Sequence, residues 1–318
     1  MANTAIPTVD LSPFFSTEND ENGKKKVKET INKACSEYGF FLIVNHGIPQ
    51  DLLNQAMHLS KTFFKFPDEE KLKCGPTPGA PLPAGYNKQP ETLDDKNEYI
   101  MMFPPGSGFN LFPSNPPGFK EAMEQMFNYF SKIGELIESI INDCLGLPKN
   151  FLKEYNHDRS WDLMVALHYF PVTDDTKNVG TSEHEDANCI TFVFQDDVGG
   201  LEVKENGEWI PVIPEQGKLV VNVSDVIQVL TNNKFKSATH RVVSPKGINR
   251  NSFAFFYNLH AEKWVEPLPQ FTTEIGEEPK YRGFLYKDYQ AMRMRNKTHP
   301  PARTEDVIHI THYAISTS

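Results

Sequence analysis

Two residues of metal-ligating type stand two apart in His184-Glu185-Asp186. If the segment is extended, its period of two points both side chains to one face. A second histidine, His240, lies in the strand-like run Ala238-Thr239-His240-Arg241-Val242-Val243, and a closed sheet could bring it across as a third ligand. Two neutral imidazoles and one carboxylate form a donor set that suits ferrous iron and leaves positions open for oxygen and a co-substrate. Further on, Arg250 and Ser252 again stand two apart. A fork-shaped cation beside a hydroxyl suits a carboxylate.

Short β-like segments separated by turn signals surround these residues: Leu163–Phe170, Cys189–Phe194, Gly200–Val203, Trp209–Val212, Lys218–Val223, His240–Val243 and Ser252–Asn258. Such a series predicts a sandwich or jelly roll. Upstream, Ile6–Asp10 and the apolar run Phe40–Val44 read as strands. Helical spacing at Val27, Ile31 and Ala34 predicts one helix ending near Tyr38-Gly39, and a second runs from about Gln50 to Phe66. Residues 75–118 hold Pro76, Pro78, Pro81, Pro83, Pro104, Pro105, Pro113, Pro116 and Pro117, so a long loop or lid is expected there rather than a core element. From Phe119 to about Leu145, Met123, Met126, Phe127, Phe130, Ile133, Leu136, Ile137 and Ile140 follow the spacing of an amphipathic helix. Tyr281–Arg295 reads as the last helix.

Composition narrows the function classes. With 32 Lys+Arg against 42 Asp+Glu the formal charge is −10, which disfavours nucleic-acid backbones and anionic lipid surfaces as partners. Apolar residues make up 39% of the chain, including 23 Phe, enough for a large packed core in one or two domains. No apolar run approaches the ~18–20 residues that span a bilayer. The polar start at Met1–Pro13 shows neither a secretory nor a transit pattern, so the expectation is a cytoplasmic protein. Cys35, Cys74, Cys144 and Cys189 are scattered without a CxxC pair and read as reduced thiols.

His184, Asp186, His240, Arg250 and Ser252 match in type, order and spacing the HxD…H and RxS motifs of the plant 2-oxoglutarate and iron(II)-dependent dioxygenases, and the chain resembles that family over most of its length. Tyr38-Gly39-Phe40-Phe41 through Asn45-His46-Gly47-Ile48 looks like the family's N-terminal signature. Gln195 through Val203, and Asn222-Val223-Ser224-Asp225 through Asn232, look like its segments after the HxD. The resemblance implies an α+β chain with a double-stranded β-helix (jelly-roll) core at about 158–265. A mainly helical N-terminal region with the Pro-rich loop would occupy 1–118, and flanking helices would complete 119–318. It also implies Fe(II) held by His184, Asp186 and His240, 2-oxoglutarate docked on Arg250 and Ser252, and ascorbate as reductant. The expected activity is oxidation, foremost hydroxylation, of a small hydrophobic plant metabolite such as a flavonoid, an alkaloid or a hormone-like acid. O2 is consumed, and succinate and CO2 are the co-products. Nucleic acid and membrane are not expected as partners, and a monomer is.

Departures from the family pattern bear on the site. Many members carry a tyrosine in an Asn-x-Tyr-Pro-like stretch whose hydroxyl reaches the distal carboxylate of 2-oxoglutarate; this chain has Leu167-His168-Tyr169-Phe170-Pro171. If the proline sets the register, that position falls on Phe170. If the His-Tyr pair of other relatives sets it, the position falls on Tyr169, the expected choice because a carboxylate facing only Arg250 and Ser252 would leave acceptor capacity unmet. Ser224 replaces the family's usual glycine, and the presence of Asp186 disfavours halogenation, for which relatives shorten that carboxylate. His46, His168, His260, His309 and His312 read as structural histidines. Tyr86, Tyr99, Met101, Met102, Phe103, Phe284 and Tyr286 offer apolar surface that either covers substrate or packs the domain. Two alternatives stand beside the main reading: an ascorbate-using oxidase with the same iron site that does not take 2-oxoglutarate, and a non-catalytic β-barrel ligand-binding protein.

Overall fold

The computed structural model describes residues 6–18, 20–77, 83–90, 95–172, 179–298, 301, 303 and 306–316. In chain order its elements are β1 (Thr8–Asp10), α1 (Glu21–Glu37), β2 (Phe40–Val44), α2 (Gln50–Phe64), α3 (Asp68–Lys71), β3 (Gly85–Lys88), β4 (Asn97–Met102), α4 (Phe119–Cys144) and α5 (Phe151–Tyr155). There follow β5 (Leu163–Tyr169), β6 (Val179–His184), β7 (Ile190–Gln195), β8 (Leu201–Glu205), β9 (Glu208–Pro211), β10 (Leu219–Val223), α6 (Asp225–Leu230), β11 (His240–Val243), β12 (Arg250–Tyr257), β13 (Trp264–Val265), β14 (Phe284–Leu285) and α7 (Tyr286–Thr298).

Two sheets carry the fold. The larger has eight strands in the order β1-β2-β10-β7-β12-β5-β4-β3, and the smaller has four in the order β6-β11-β8-β9. Every strand pairing among the described residues is antiparallel except β1 with β2. The double-stranded β-helix expected from the motifs is thus present as two open sheets.

Strand alternation divides the large sheet into two unlike faces. Phe41 and Ile43 on β2, Phe192 and Phe194 on β7, Phe253 and Phe255 on β12, and Met164 and Ala166 on β5 point outward into the main core. There they meet α2 and α4. The apolar stripe of α4, Met123, Met126, Phe127, Phe130, Ile133, Ile137 and Ile140, is fully buried on this face. The opposite face turns toward the small sheet, where Phe40, Leu42, Val220 and Tyr169 meet Leu201, Val203 and Val242 in a second, smaller cluster.

Local chemistry sets the element ends. Asp20 caps α1 by accepting from the Gly23 N–H at 2.8 Å. Gly39 then turns the chain into β2 at φ +72, where a Cβ would come within 2.3 Å of the Lys236 carbonyl, so only glycine fits between helix and strand.

The structure corrects three expectations. Residues 75–118 are not simply a loop, because β3 and β4 lie there and extend the large sheet; Pro78 and Pro81 fall outside the described residues. The signal was hidden by Glu98, a charge inside a buried strand. Burial alone would raise its carboxyl, but His168 donating at 2.7 Å, Lys71 at 2.6 Å and the Tyr86 hydroxyl at 2.6 Å hold it below the usual carboxylate range. Second, β6 was missed because it is a polar edge strand with only Gly180 buried. Third, the last helix starts at Tyr286 rather than Tyr281, since Tyr281 pairs with Ala314 and Phe284 is spent in β14. Of the residues left open between covering substrate and packing the domain, Tyr86, Met102, Phe284 and Tyr286 pack the main core, whereas Tyr99 and Met101 stand on the face toward the small sheet.

Phe255 ties the two layers, ringed by Phe127 at 5.1 Å, Phe130 at 5.4 Å and Phe192 at 6.2 Å. Phe255→Ala should lower stability by about 3–5 kcal/mol in urea unfolding. A loss below about 1 kcal/mol would mean that α4 collapses onto the sheet to refill the space.

Candidate metal centre and co-substrate site

Cross-strand register brings the three candidate ligands together. His240 on β11 lies directly opposite His184 at the end of β6, and their ring centroids are 4.3 Å apart. Asp186 sits two residues beyond the strand, with Oδ1 3.6 Å from His184 Nε2 and Oδ2 3.7 Å from His240 Nε2. One ligand atom from each of the three lies within 4.8 Å of the others, the one such His/Cys/Asp/Glu cluster among the described residues. The convergence expected from strand alternation is therefore present, although a turn rather than the strand delivers Asp186. That turn is set by the Asp225 N–H, which donates to the Asp186 carbonyl at 2.9 Å.

The protonation pattern follows from the partners. Nδ1 of His184 is 2.8 Å from the Ser182 carbonyl and Nδ1 of His240 is 3.1 Å from the Ala238 carbonyl. A carbonyl only accepts, so each Nδ1 carries a proton and each Nε2 is turned toward Asp186, open to a proton or a metal ion. The Asp186 carboxylate accepts from the Thr191 hydroxyl at 2.7 Å and from the Asn222 amide at 3.0 Å, both on Oδ2. Burial would raise this carboxyl, but His240, His184 and Asn222 outweigh it and hold Asp186 well below the ordinary range. It is charged at neutral pH. Three donors of this kind, two neutral nitrogens and one anionic oxygen, fit Fe(II).

The second half of the site lies deeper between the sheets. Arg250 opens β12 and is 1% exposed. It donates to the Ser252 hydroxyl and to the Gln195 amide oxygen, each at 3.1 Å, and its Nε has no partner. Among the described residues it is paired with no carboxylate. The Gln195 amide is itself oriented by donating to the Val212 carbonyl at 3.2 Å. Ser252 accepts from Arg250, which leaves its own proton to donate. A buried guanidinium beside a free hydroxyl proton fits the distal carboxylate of 2-oxoglutarate.

Parity separates Tyr169 from Phe170. Tyr169 is opposite Arg250 in the β5–β12 ladder, and the guanidinium carbon stands 4.7 Å from the centre of its ring. Phe170 turns the other way, with its ring 5.0 Å from that of His168 and Lys88 over its face at 5.6 Å. Gly180 on β6 makes room for Tyr169, since a Cβ there would come within 2.8 Å of the ring. Three of the other histidines are held by partners away from the cluster: His46 accepts from the Ile48 N–H on Nδ1 at 3.2 Å, and its Nε2 faces the Gly217 carbonyl at 3.2 Å. His168 is committed to Glu98, and His260 lies 3.3 Å from Asp158.

Sequence reasoning missed Thr191 and gave Gln195 and Asn222 no role. Asn222 and Gln195 lay inside segments that resembled the family, but only cross-strand register reveals which residue each one faces. Beyond the ligands, Leu163, Met101, Leu167 and Phe256 are only half-buried, whereas Phe253 and Phe255 on the other face are 0% exposed. Space between the sheets is lined here by neutral, mostly apolar side chains.

Comparison with known proteins agrees with this geometry. Residues 160–259 match the 2OG-Fe(II) oxygenase superfamily, and residues 6–113 match the family described as non-haem dioxygenase in morphine synthesis N-terminal. The chain is 31% identical to a flavonol synthase/flavanone 3-hydroxylase of Matthiola incana, over 89% of this chain and 96% of that one. It is 33% identical to 1-aminocyclopropane-1-carboxylate oxidase 5 of Arabidopsis thaliana, over 93% and 96%. Among solved structures it resembles JOX2 in complex with 2OG, Fe and JA, with TM-score 0.83 and 25% identity over 98% of this chain and 90% of that one. It also resembles a full-length Neurospora crassa protein solved in complex with alpha-KG and 5-formyluracil, with TM-score 0.79 and 28% identity over 92% and 97%. The matched segments and the relatives agree, and the chain belongs to the 2OG-Fe(II) oxygenase superfamily, in its plant dioxygenase branch.

Proposed function

We propose that His184, Asp186 and His240 hold Fe(II), that Arg250 and Ser252 with the Tyr169 hydroxyl hold the distal carboxylate of 2-oxoglutarate, and that the enzyme hydroxylates a small hydrophobic plant metabolite. The observation that carries the reading is the buried Arg250, which is paired with no carboxylate among the described residues and faces the same inter-sheet space as the His-Asp-His cluster. Iron(II) bound there with 2-oxoglutarate and O2 supplies an oxidant for a C–H bond, with succinate and CO2 as co-products and ascorbate as reductant.

The residues divide the work by charge and depth. Two neutral imidazoles and Asp186 leave a bound Fe(II) with net charge +1, which favours chelation by an anionic keto acid. Arg250 neutralises its far end, Ser252 donates a proton to the same carboxylate, and the Tyr169 ring covers the guanidinium. Thr191 and Asn222 keep Asp186 ionised and aimed at the metal. The half-buried lining of Met101, Leu163, Leu167 and Phe256 excludes water and suits an apolar ring or chain. Relatives named for flavonol synthesis and a neighbour solved with JA support a flavonoid, an alkaloid or a hormone-like acid as substrate. Hydroxylation leads, while desaturation, demethylation or ring closure would follow from a different substrate pose.

We read residues 1–118 and 119–318 as a division of sequence rather than of space, since strands from both share the large sheet. No described helix is long and apolar enough to cross a membrane. A cytoplasmic monomer is the reading we adopt. The relative named 1-aminocyclopropane-1-carboxylate oxidase 5, at 33% identity, supports one second reading, an oxidase that consumes ascorbate without 2-oxoglutarate.

Three outcomes test the proposal. Asp186→Ala and His184→Ala should each abolish tight Fe(II) or Mn(II) binding in calorimetric titration and all turnover; full activity in either would refute the assignment. Arg250→Ala should raise the KM for 2-oxoglutarate by roughly 10- to 100-fold, the loss of about 1.5–3 kcal/mol from a charged hydrogen-bonding pair, while metal affinity changes little. Incubation with 2-oxoglutarate, Fe(II), ascorbate and a panel of flavonoids, alkaloids and hormone acids should yield succinate coupled to a hydroxylated product. Turnover that needs ascorbate but consumes no 2-oxoglutarate would establish the second reading instead.

A further inference from the structure

Glu185 stands between the first two residues of the metal cluster, and its polar atoms are held from outside the cluster. The carboxylate accepts from the Thr239 hydroxyl at 2.6 Å, next to His240 in the chain, and its other oxygen lies 2.9 Å from His309 Nδ1. The Glu185 backbone carbonyl accepts from the Arg293 guanidinium on α7. The other arm of Arg293 donates to Asp225 Oδ2 at 2.8 Å and to the Tyr289 hydroxyl at 2.7 Å. Asp225 returns the connection to the cluster through its N–H on the Asp186 carbonyl, at 2.9 Å.

The segment that supplies these donors is fixed independently of the cluster. The Asn296 amide donates to the Ile308 carbonyl at 2.7 Å and accepts from its N–H at 3.3 Å. Ile310 is 3% exposed, the Tyr313 ring lies 4.5 Å from that of Phe284, and the Arg282 N–H donates to the Tyr313 carbonyl at 2.8 Å. By contrast, the β6–β11 ladder stops at His184, so the peptide from Glu185 to Asp186 has no strand partner. On the Glu185 side that peptide is held by Arg293 at its carbonyl, and on the Asp186 side by the Asp225 N–H.

We propose that Arg293 and His309 are positioning residues: the C-terminal helix and tail brace the Glu185 peptide and thereby set the orientation in which His184 and Asp186 meet the metal. This rests on the reading of His184, Asp186 and His240 as the metal centre. Groups that orient ligands in this way typically change metal affinity by roughly 10- to 100-fold when removed.

The test is titration of the full-length, metal-free protein with Co(II), followed by calorimetry and by the visible ligand-field band, together with thermal melting of the metal-free form. Arg293→Met should weaken Co(II) binding by roughly 10-fold and shift the band. Arg293→Lys, which keeps a donor and the charge, should recover part of the affinity. His309→Ala, at a side chain 37% exposed, should weaken binding by a smaller factor with the melting of the metal-free protein unchanged. If every variant binds Co(II) with the affinity and band of the parent, the brace is refuted, whatever happens to melting. If Arg293→Met does not fold, His309→Ala decides in the same way. Failure of the parent itself to bind Co(II) would overturn the metal-centre reading and the brace together, whereas loss confined to the variants supports both.

Discussion

A guanidinium buried to 1% exposure, with no carboxylate partner among the described residues, is the constraint around which the inter-sheet space is organised. Taking such a cation out of water costs several kcal/mol even after relaxation, and the fold offsets only part of that. Ser252, Gln195 and the face of Tyr169 satisfy some of its donors and spread its charge, and Nε is left over. Two of these groups are locked in turn, Gln195 by the Val212 carbonyl and Tyr169 by a place that only a glycine at position 180 leaves free. An anion would complete the arrangement, the role proposed for the distal carboxylate of 2-oxoglutarate. The same logic at the opposite sign governs Asp186, a buried carboxylate kept charged by two imidazoles, a hydroxyl and an amide.

Strand register converts those two charges into a site with depth. Thr191 and Asn222, which support Asp186, stand in one cross-strand row, and Gln195 and Ser252, which support Arg250, stand in another. Four residue steps along β7 separate the rows, about 13 Å at ~3.3 Å per residue. Between them Val193, Ala254, Val165 and Met101 form a neutral row. This spacing survives because the reverse face of the same strands is packed solid against α4, so the sheet cannot slide without unpacking Phe192, Phe253 and Phe255. Core and site are opposite faces of one object.

The legible part of the fold was the part with simple periodicity. β5, β7, β10 and β12 carry runs of branched and aromatic residues, α4 repeats at helical spacing, and all were readable. Elements whose stability comes from partners distant in sequence were not. β4 conceals its strand character behind Glu98, neutralised by Lys71 and His168, and β6 is a polar edge whose value lies in ending at His184. In the site, residue types, spacing and the family resemblance pointed to His184, Asp186 and His240, which the fold gathers, and to Arg250 and Ser252, which it pairs. The choice between Tyr169 and Phe170 needed the parity of one ladder, and Thr191, Gln195, Arg293 and His309 act through contacts that no local pattern announces. The long spacing from Glu185 to His309 leaves no trace in the sequence between them.

The most direct test of the account is an anaerobic titration of 2-oxoglutarate into the Fe(II)-loaded protein, followed by the visible absorption of an iron-chelated keto acid. A band that saturates near one 2-oxoglutarate per chain, disappears with Asp186→Ala and needs far more 2-oxoglutarate with Arg250→Ala is the predicted result. Iron bound in full with no such band at any concentration of 2-oxoglutarate would contradict it, and Arg250 would then serve some other anion.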